Sequence, residues 1–158
     1  MKVKAFQDYY ADEYVHCFGC GRLNENGMHI KSYWDGDESV CRYTPAPQFT
    51  GGFPGNIYGG LIMSLVDCHC AGTAAAAKLR EDGLLPGDKP LTRFVTASIK
   101  VDFLKPTPAG IEIEIRGRVV EITNRKVIIS ATVLADGVIT AKGEGIMVQL
   151  PENSGSGK

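Results

Sequence analysis

One segment, residues 58 to about 79, constrains the fold more than any other part of the chain. Its composition favours a single long helix, and between Gly59 and Ala77 this helix contains one charged residue, Asp67. A helix that is apolar on nearly all of its sides is buried in a protein rather than laid on its surface. The remaining segments must therefore wrap around it.

Apolar and polar residues alternate with a period of two after the helix, which predicts half-buried antiparallel strands. Short turns at 124–126 and 135–137 connect the last three strands in the manner of a meander. Six strands are predicted in total, at residues 28–34, 39–43, 91–104, 111–116, 127–134 and 138–148. We expect an α+β domain in which one curved sheet wraps around the central helix.

The chain has the length of one ordinary domain, 158 residues, and shows no internal repeat. We place this domain at residues 1–150, with a short helix expected within residues 2–14. Residues 151–158 carry no large apolar side chain, so they are predicted to form a disordered tail.

Charge and cysteine content narrow the classes of partner and compartment. The formal net charge is -1 and the basic residues are scattered singly, which argues against nucleic acid or an anionic membrane as a partner. Residues 1–12 carry acids and aromatics rather than a signal-peptide core, and the five cysteines are an odd number. Both features predict a cytoplasmic protein with reduced thiols.

Asp67 is the first candidate for a functional residue. Burying an ionised carboxylate without partners costs several kcal/mol, roughly the scale of a domain's net stability. Its neighbours on the helix are small, Gly60 and Ser64 among them, which leaves room for a ligand or a second helix. The alternative is that Asp67 lies on a solvent-facing stripe of the helix and has no function.

The start of the helix is the second candidate. The first backbone N–H groups of a helix have no partner within it and lie at the positive end of its dipole. Gly59 and Gly60 carry no side chain, so a carbonyl oxygen could approach these groups as in an oxyanion hole. The alternative is that the two glycines only shape a tight turn into the helix.

Three segments together resemble one protein family. Residues 55–67, GNIYGGLIMSLVD, resemble the His-Gly-Gly…Asp signature of the PaaI-like hotdog thioesterases, within the 4-hydroxybenzoyl-CoA thioesterase superfamily. Residues 95–106, VTASIKVDFLKP, resemble the next strand of this family, and residues 17–21, CFGCG, resemble an N-terminal segment of many bacterial members. The resemblance covers roughly residues 17–148.

The resemblance implies a hotdog fold and an acyl-CoA thioesterase active site between the subunits of a homodimer, with a dimer of dimers left open. Asp67 would be the general base or the nucleophile. Gly59 would polarise the thioester carbonyl through its backbone N–H, and Thr96 would orient the water or the acid. Without the resemblance, Thr96 is equally well explained as an ordinary β-branched strand residue. Substrate binding is assigned to Tyr58, Gly60, Asn56 and Ser64. Coenzyme A belongs to the substrate, so no separate cofactor is expected.

Two positions depart from the family pattern. Tyr58 stands where the family has histidine, and a phenol donates a hydrogen bond but does not serve as a base near neutral pH. Gly52 stands where the family often has Asn or Gln, and either Asn56 or Gln48 is a candidate to supply an amide instead. These differences leave the acid and the helix start intact.

Two other functions stay open at this stage. The Phe53-Pro54-Gly55 run before the helix is compatible with a hotdog hydratase or dehydratase, but such an enzyme needs a histidine base and residues 48–66 contain none. The second alternative is a non-catalytic acyl-CoA-binding protein, which the replacement of histidine by Tyr58 favours and the presence of Asp67 disfavours.

The cysteines are not assigned to a functional site. The Cys17-x-x-Cys20 spacing is half of a four-cysteine zinc site, but the sequence shows no second half, so no metal is expected. Cys68 and Cys70, two residues apart on the helix, should point to different sides of it.

Two further polar groups are interpreted as structural. His69 should also face away from Asp67 and be a packed or interface side chain. Arg125 and Lys126 are candidates for coenzyme A phosphates, but charged turn residues are usually only solvated.

Overall fold

The computed structural model describes residues 2–151. The tail predicted to be disordered is residues 151–158, of which residues 152–158 lie outside the described residues. One long helix, α1 (Gly59–Glu81), packs against one antiparallel sheet in the spatial order β1-β2-β4-β5-β6-β3. The strands are β1 (Ser32–Asp35), β2 (Glu38–Tyr43), β3 (Phe94–Phe103), β4 (Ile113–Thr123), β5 (Lys126–Ala135) and β6 (Val138–Gln149). This is the predicted α+β hotdog arrangement.

The helix is buried as its composition predicts. Leu61, Leu65 and Val66 are fully buried and share one hydrophobic core with strand residues such as Ile115 and Ile129. By length and composition alone α1 would also suit a membrane span, but 78% of its most apolar 18-residue stretch is buried inside the protein. The sheet therefore covers the apolar surface of α1.

The turns between the last strands are those expected from the sequence. Asn124, at the β4–β5 turn, has a positive φ of 31°, and Asp136 and Gly137, at the β5–β6 turn, have φ values of 50° and 71°. Such left-handed conformations favour Asn, Asp and Gly, and they match the twist of a tight hairpin. The predicted β4-β5-β6 meander is confirmed.

The structure corrects two predictions near the N-terminus. The strand predicted from residue 28 begins only at Ser32, because the backbone N–H groups of Met28 and Ile30 are bonded to the turn at Phe18 and Gly19. His29 also has a positive φ of 55°, which interrupts an extended chain. The predicted N-terminal helix is two short 3₁₀ helices, Phe6–Tyr9 and Asp12–Tyr14.

Strand β3 lies at one edge of the sheet and pairs on one side only, with β6. Most of its residues are exposed, including Val95 and Phe103, which are 41% and 54% exposed. Its pairing with β6 shifts register between Thr96 and Ser98, where a bulge interrupts the strand. An exposed edge of this length offers unpaired backbone groups to a further strand.

Candidate active site

Asp67 lies on α1 where the helix passes the edge strand β3. Its side chain is half-buried, and the Thr96 hydroxyl donates a short hydrogen bond to Asp67 Oδ1. Thr96 Oγ1 also lies 3.5 Å from the sulfur of Met147 on β6. The structure therefore brings the predicted acid and the predicted hydroxyl together across 29 positions of sequence.

The helix face that carries Asp67 is open in the single chain. The stripe consists of Gly60, then Met63 and Ser64 one turn later, then Asp67 one turn after these, and none of them is fully buried. Farther along the helix the same face is covered, since Ala71 and later small residues are buried. Asp67 lies at the end of the accessible stripe, next to the buried part of the helix. It is therefore neither a fully buried carboxylate nor a fully solvent-exposed one, the two alternatives considered from the sequence.

Free backbone donors mark the start of α1. Gly59 and Gly60 are exposed, and no acceptor within residues 2–151 bonds either of their backbone N–H groups. The helix's own bonding starts with Leu61, whose N–H donates to Tyr58 O at 3.2 Å. Two donors at the positive helix end therefore remain available to an electron-rich oxygen.

Aromatic rings pack around these glycines. The Tyr58 ring stacks on Phe49 with centroids 6.4 Å apart, and a Cβ added at Gly60 would lie 2.3 Å from the Tyr58 ring. A Cβ added at Gly59 would lie 3.2 Å from the ring of Phe103. Phe103 was not predicted as a site residue, because nothing in the sequence shows that β3 ends beside the helix start.

A groove of about 250 Å³ opens at the same place. Its walls are Ile57, Gly59, Ile62, Phe103, Leu104, Lys105, Pro106 and Thr107. A larger depression, of about 500 Å³, lies elsewhere and is lined by three carboxylates, Glu112, Glu114 and Asp136. Glu112 and Glu114 there already pair with Arg42, whereas the groove beside Gly59 adjoins backbone donors that have no acceptor among the described residues, so the groove is the better candidate.

Gly59 and Asp67 of one chain are too far apart to act on one carbonyl group. They are separated by eight residues of α-helix, which rise about 12 Å along the axis. A reacting carbonyl must lie about 3 Å from both its attacking group and its hydrogen-bond donors. A single subunit therefore holds the two halves of the predicted site separately.

Two of the predicted substrate-binding residues form hydrogen bonds with groups of their own chain. The Ser64 hydroxyl donates to Gly60 O at 2.9 Å, a bond to its own helix. The backbone carbonyl of Asn56 accepts from Gly51 N at 2.7 Å, while its side-chain amide bonds no group in residues 2–151. Tyr58 and Asn56 flank the helix start, and Ser64 lies on the open stripe.

His69 is enclosed on the far side of the helix from Asp67. It is fully buried, and its ring nitrogens lie 2.8 Å from Ser32 Oγ and 2.9 Å from Ser39 Oγ. Ser39 Oγ continues to Thr73 Oγ1 at 2.7 Å. Burial lowers the pKa of His69 to about 4, so the ring is neutral at pH 7. The prediction of a packed histidine is confirmed.

Cys68 and Cys70 point to different sides of α1, as expected. The Cys68 sulfur lies 3.9 Å from that of Cys17, and the sulfurs of Cys17, Cys20 and Cys68 all lie within 4.8 Å of one another. Cys70 instead faces Gly145 on β6. Hydrogen bonds with Cys20 and Cys68 hold the pKa of Cys17 far below its ordinary value, while those same bonds raise the pKa of the other two thiols.

The basic turn residues are engaged with their own chain. The Arg125 guanidinium donates to Gln149 O at 2.7 and 3.2 Å, and Lys126 Nζ lies 3.8 Å from a Glu121 carboxylate oxygen. These contacts support the interpretation of both residues as turn groups rather than phosphate ligands.

Comparison with solved structures identifies similar chains. A thioesterase superfamily protein of Shewanella loihica PV-4 is 38% identical, with a TM-score of 0.68 and coverage of 89% of this chain and 98% of that chain. The PaaI protein of the E. coli phenylacetic acid degradation operon is 17% identical, with a TM-score of 0.62 and coverage of 78% and 81%. A conserved protein of Pseudomonas aeruginosa is 19% identical, with a TM-score of 0.61 and coverage of 78% and 90%.

Two comparisons of the sequence were informative, one with curated proteins and one with models of protein families. No curated protein matches the sequence. The family model described as the thioesterase superfamily matches residues 54–141, which include α1, Asp67 and the edge strand β3. Together with the S. loihica relative, this match shows that the chain belongs to the thioesterase superfamily, and the E. coli PaaI protein shares its hotdog fold.

Proposed function

We propose that this protein is an acyl-CoA thioesterase that hydrolyses a thioester to a free acid and coenzyme A. Membership of the thioesterase superfamily supports thioester chemistry. The observation that carries the proposal is the half-buried carboxylate of Asp67, held by the Thr96 hydroxyl where an open helix face meets an edge strand. A carboxylate held in one orientation can activate water or attack a carbonyl carbon itself.

The proposed reaction can follow one of two routes. Asp67 either removes a proton from an attacking water or adds directly to the thioester carbonyl, and the carbon–sulfur bond then breaks. In the second route, water hydrolyses the resulting anhydride. In both routes coenzyme A leaves as the thiol after taking up a proton. Backbone N–H groups at Gly59 would stabilise the negative charge that develops on the carbonyl oxygen, which is worth about 3 kcal/mol in comparable sites.

The separation of about 12 Å between Gly59 and Asp67 requires a second subunit in this mechanism. In an antiparallel pair of helices, Asp67 of one subunit would face Gly59 of the partner subunit. The open stripe of α1 and the edge strand β3 adjoin at Asp67 and Thr96 and again at Gly59 and Phe103, and together they would provide the contact surface. We therefore propose a homodimer with two composite sites, and a dimer of dimers remains compatible with it.

The substrate class follows from the groove beside Gly59. Its walls combine apolar side chains, Phe103 and Leu104 among them, with the amine of Lys105. Apolar walls suit an acyl or aryl group, and a lysine suits a phosphate of the coenzyme. We assign the remaining substrate contacts to Tyr58, Gly60 and Asn56, which are adjacent in sequence to groove residues Ile57 and Gly59, and to Ser64 on the open stripe.

A non-catalytic acyl-CoA-binding protein is the second candidate, because Tyr58 replaces the histidine of the family pattern. A hydratase is disfavoured, because the histidine of α1, His69, is fully buried and bonded to Ser32 and Ser39. His16 and His29 belong to the N-terminal segment rather than to the helix start.

The test is release of free thiol from a panel of aliphatic and aryl CoA thioesters by the wild type and by Asp67→Asn. We expect turnover by the wild type and a reduction in kcat of about 10²- to 10⁴-fold in the variant, because asparagine keeps the shape but not the basicity of the side chain. Circular dichroism checks that the variant is folded.

Asp37→Asn is the matched control for this substitution. Asp37 is an exposed carboxylate in the β1–β2 turn, at the opposite edge of the sheet from β3, so its loss should leave kcat unchanged. Undiminished turnover by Asp67→Asn would remove Asp67 from the mechanism. Tight binding of the CoA thioesters without turnover by the wild type would favour the binding protein.

A further inference from the structure

Three thiols from distant parts of the chain meet outside the proposed active site. Cys17 and Cys20 come from the N-terminal turn, and Cys68 comes from the middle of α1. Their sulfur atoms lie within 4.8 Å of one another, and those of Cys17 and Cys68 are 3.9 Å apart. Four sulfurs around zinc at about 2.3 Å form a tetrahedron with edges of about 3.8 Å. The thiol spacing is therefore close to that of zinc ligands.

The N-terminal turn is shaped to bring its thiols to the helix. A Cβ added at Gly19 would lie 2.3 Å from the Cys68 sulfur, so only glycine permits this approach. Gly21 N donates to Cys17 O at 2.8 Å and closes the turn. The turn therefore carries the Cys17 and Cys20 sulfurs to the Cys68 sulfur on the helix.

A cation of the protein lies beside the cluster. The Arg93 guanidinium is half-buried, interacts with the Cys20 thiol and lies over the Tyr10 ring at 5.2 Å. Within residues 2–151 no carboxylate comes within 4.0 Å of it. Three thiolates around one divalent ion carry a net charge of minus one, and Arg93 would balance this charge.

We propose that Cys17, Cys20 and Cys68 form a zinc site with three thiolate ligands and a fourth position open to water. The half-buried Cys17 gives solvent and the ion a way in. On binding, each thiol gives up its proton and its sulfur forms one bond to Zn²⁺, with no change of oxidation state. The ion would fasten the N-terminal turn to α1 at the residue that follows Asp67, independently of the thioesterase proposal.

The test measures metal content and the coordination spectrum of the full chain. After incubation with Zn²⁺ and passage through a chelating resin, we expect about one zinc per chain by elemental mass spectrometry. Replacement by Co²⁺ should give thiolate-to-cobalt charge-transfer bands and the intense visible bands of a tetrahedral site. Cys68→Ala and Cys17→Ala should each lower the retained zinc at least about tenfold.

Cys70→Ala is the matched control, because Cys70 is also a buried thiol of α1 and faces Gly145 instead. It should retain zinc like the wild type. Cys17 lies in a half-exposed turn, so its variant tests the site even if Cys68→Ala does not fold. The proposal is overturned if the wild type retains no zinc with all five thiols free, or if Cys17 and Cys68 form a disulfide in place of the metal site.

Discussion

At the scale of single residues, Asp67 and Thr96 show how a strand side chain orients a helix side chain. Thr96 lies next to the bulge of β3, where the register with β6 shifts, and its hydroxyl donates to Asp67. A bulge redirects the side chains of an edge strand. Thr96 is therefore proposed as a positioning residue, which holds the carboxylate in one rotamer.

The first prediction concerns this hydroxyl. Thr96→Val keeps the shape of the side chain but removes the donor, and we expect kcat to fall about 10- to 100-fold, the worth of one hydrogen bond to a charged group. Thr96→Ser keeps the hydroxyl and should restore most of kcat, with KM little changed in both variants. Steady-state assays with the best CoA thioester measure both constants. Equal activity of the Val and Ser variants would contradict a role for the hydroxyl.

At the scale of elements, α1 has one side that is open to solvent and an opposite side that is buried. Its open stripe carries Gly60, Ser64 and Asp67, whereas its opposite side carries His69 inside a closed polar network. Gln7 joins this network through Ser32, to which it is bonded by its side-chain amide at 3.2 and 2.8 Å. The network fixes the rotation of the helix and so the direction in which Asp67 points.

The second prediction is a loss of stability in acid that depends on His69. The folded pKa is about 4 and the ordinary value is 6.5, so between these values the unfolded chain binds more protons than the folded one. Stability is therefore complete above about pH 6.5 and falls as the pH drops toward 4, by about 3 kcal/mol in total. Urea unfolding across this pH range measures the slope.

His69→Gln should flatten that pH dependence, although it lowers stability at pH 7 by removing a packed ring. His16→Gln, which replaces an exposed histidine, is the control and should leave the slope unchanged. An identical slope in the wild type and in His69→Gln would mean that other groups govern acid unfolding.

At the scale of the whole molecule, the sheet order leaves β3 and the helix start uncovered together. Exposed apolar side chains gather there, including Tyr58, Val95, Phe103 and Leu104. A twofold pairing of β3 with its copy would extend the sheet and bring each Asp67 toward Gly59 of the partner subunit. Activity and association should therefore depend on the same edge.

The third prediction tests this edge. The wild type should have a mass of about 34 kDa, twice 17.0 kDa, or a multiple of it, in light scattering. Ser98→Glu places a charge in the middle of β3, where a symmetric strand pair brings like charges together, and should shift the protein toward monomer and lower its activity. Ser98→Ala should behave as the wild type, and Val138→Glu is the control for added charge at an exposed position outside the edge. A wild-type monomer with full activity would rule out the composite site.

Local patterns in the sequence were sufficient for the buried helix, the six strands and the hairpin turns, since burial and period-two alternation are properties of neighbouring residues. The lone charge of Asp67 and the glycines before it could be found in the same way. The contact of Thr96 with Asp67 was implied only by the family resemblance, and the tertiary structure alone decided that β3 is an edge strand and that Cys68 joins Cys17 and Cys20. These contacts join segments far apart in sequence, and they depend on strand order, register and helix rotation, which are set by the packing of the whole core.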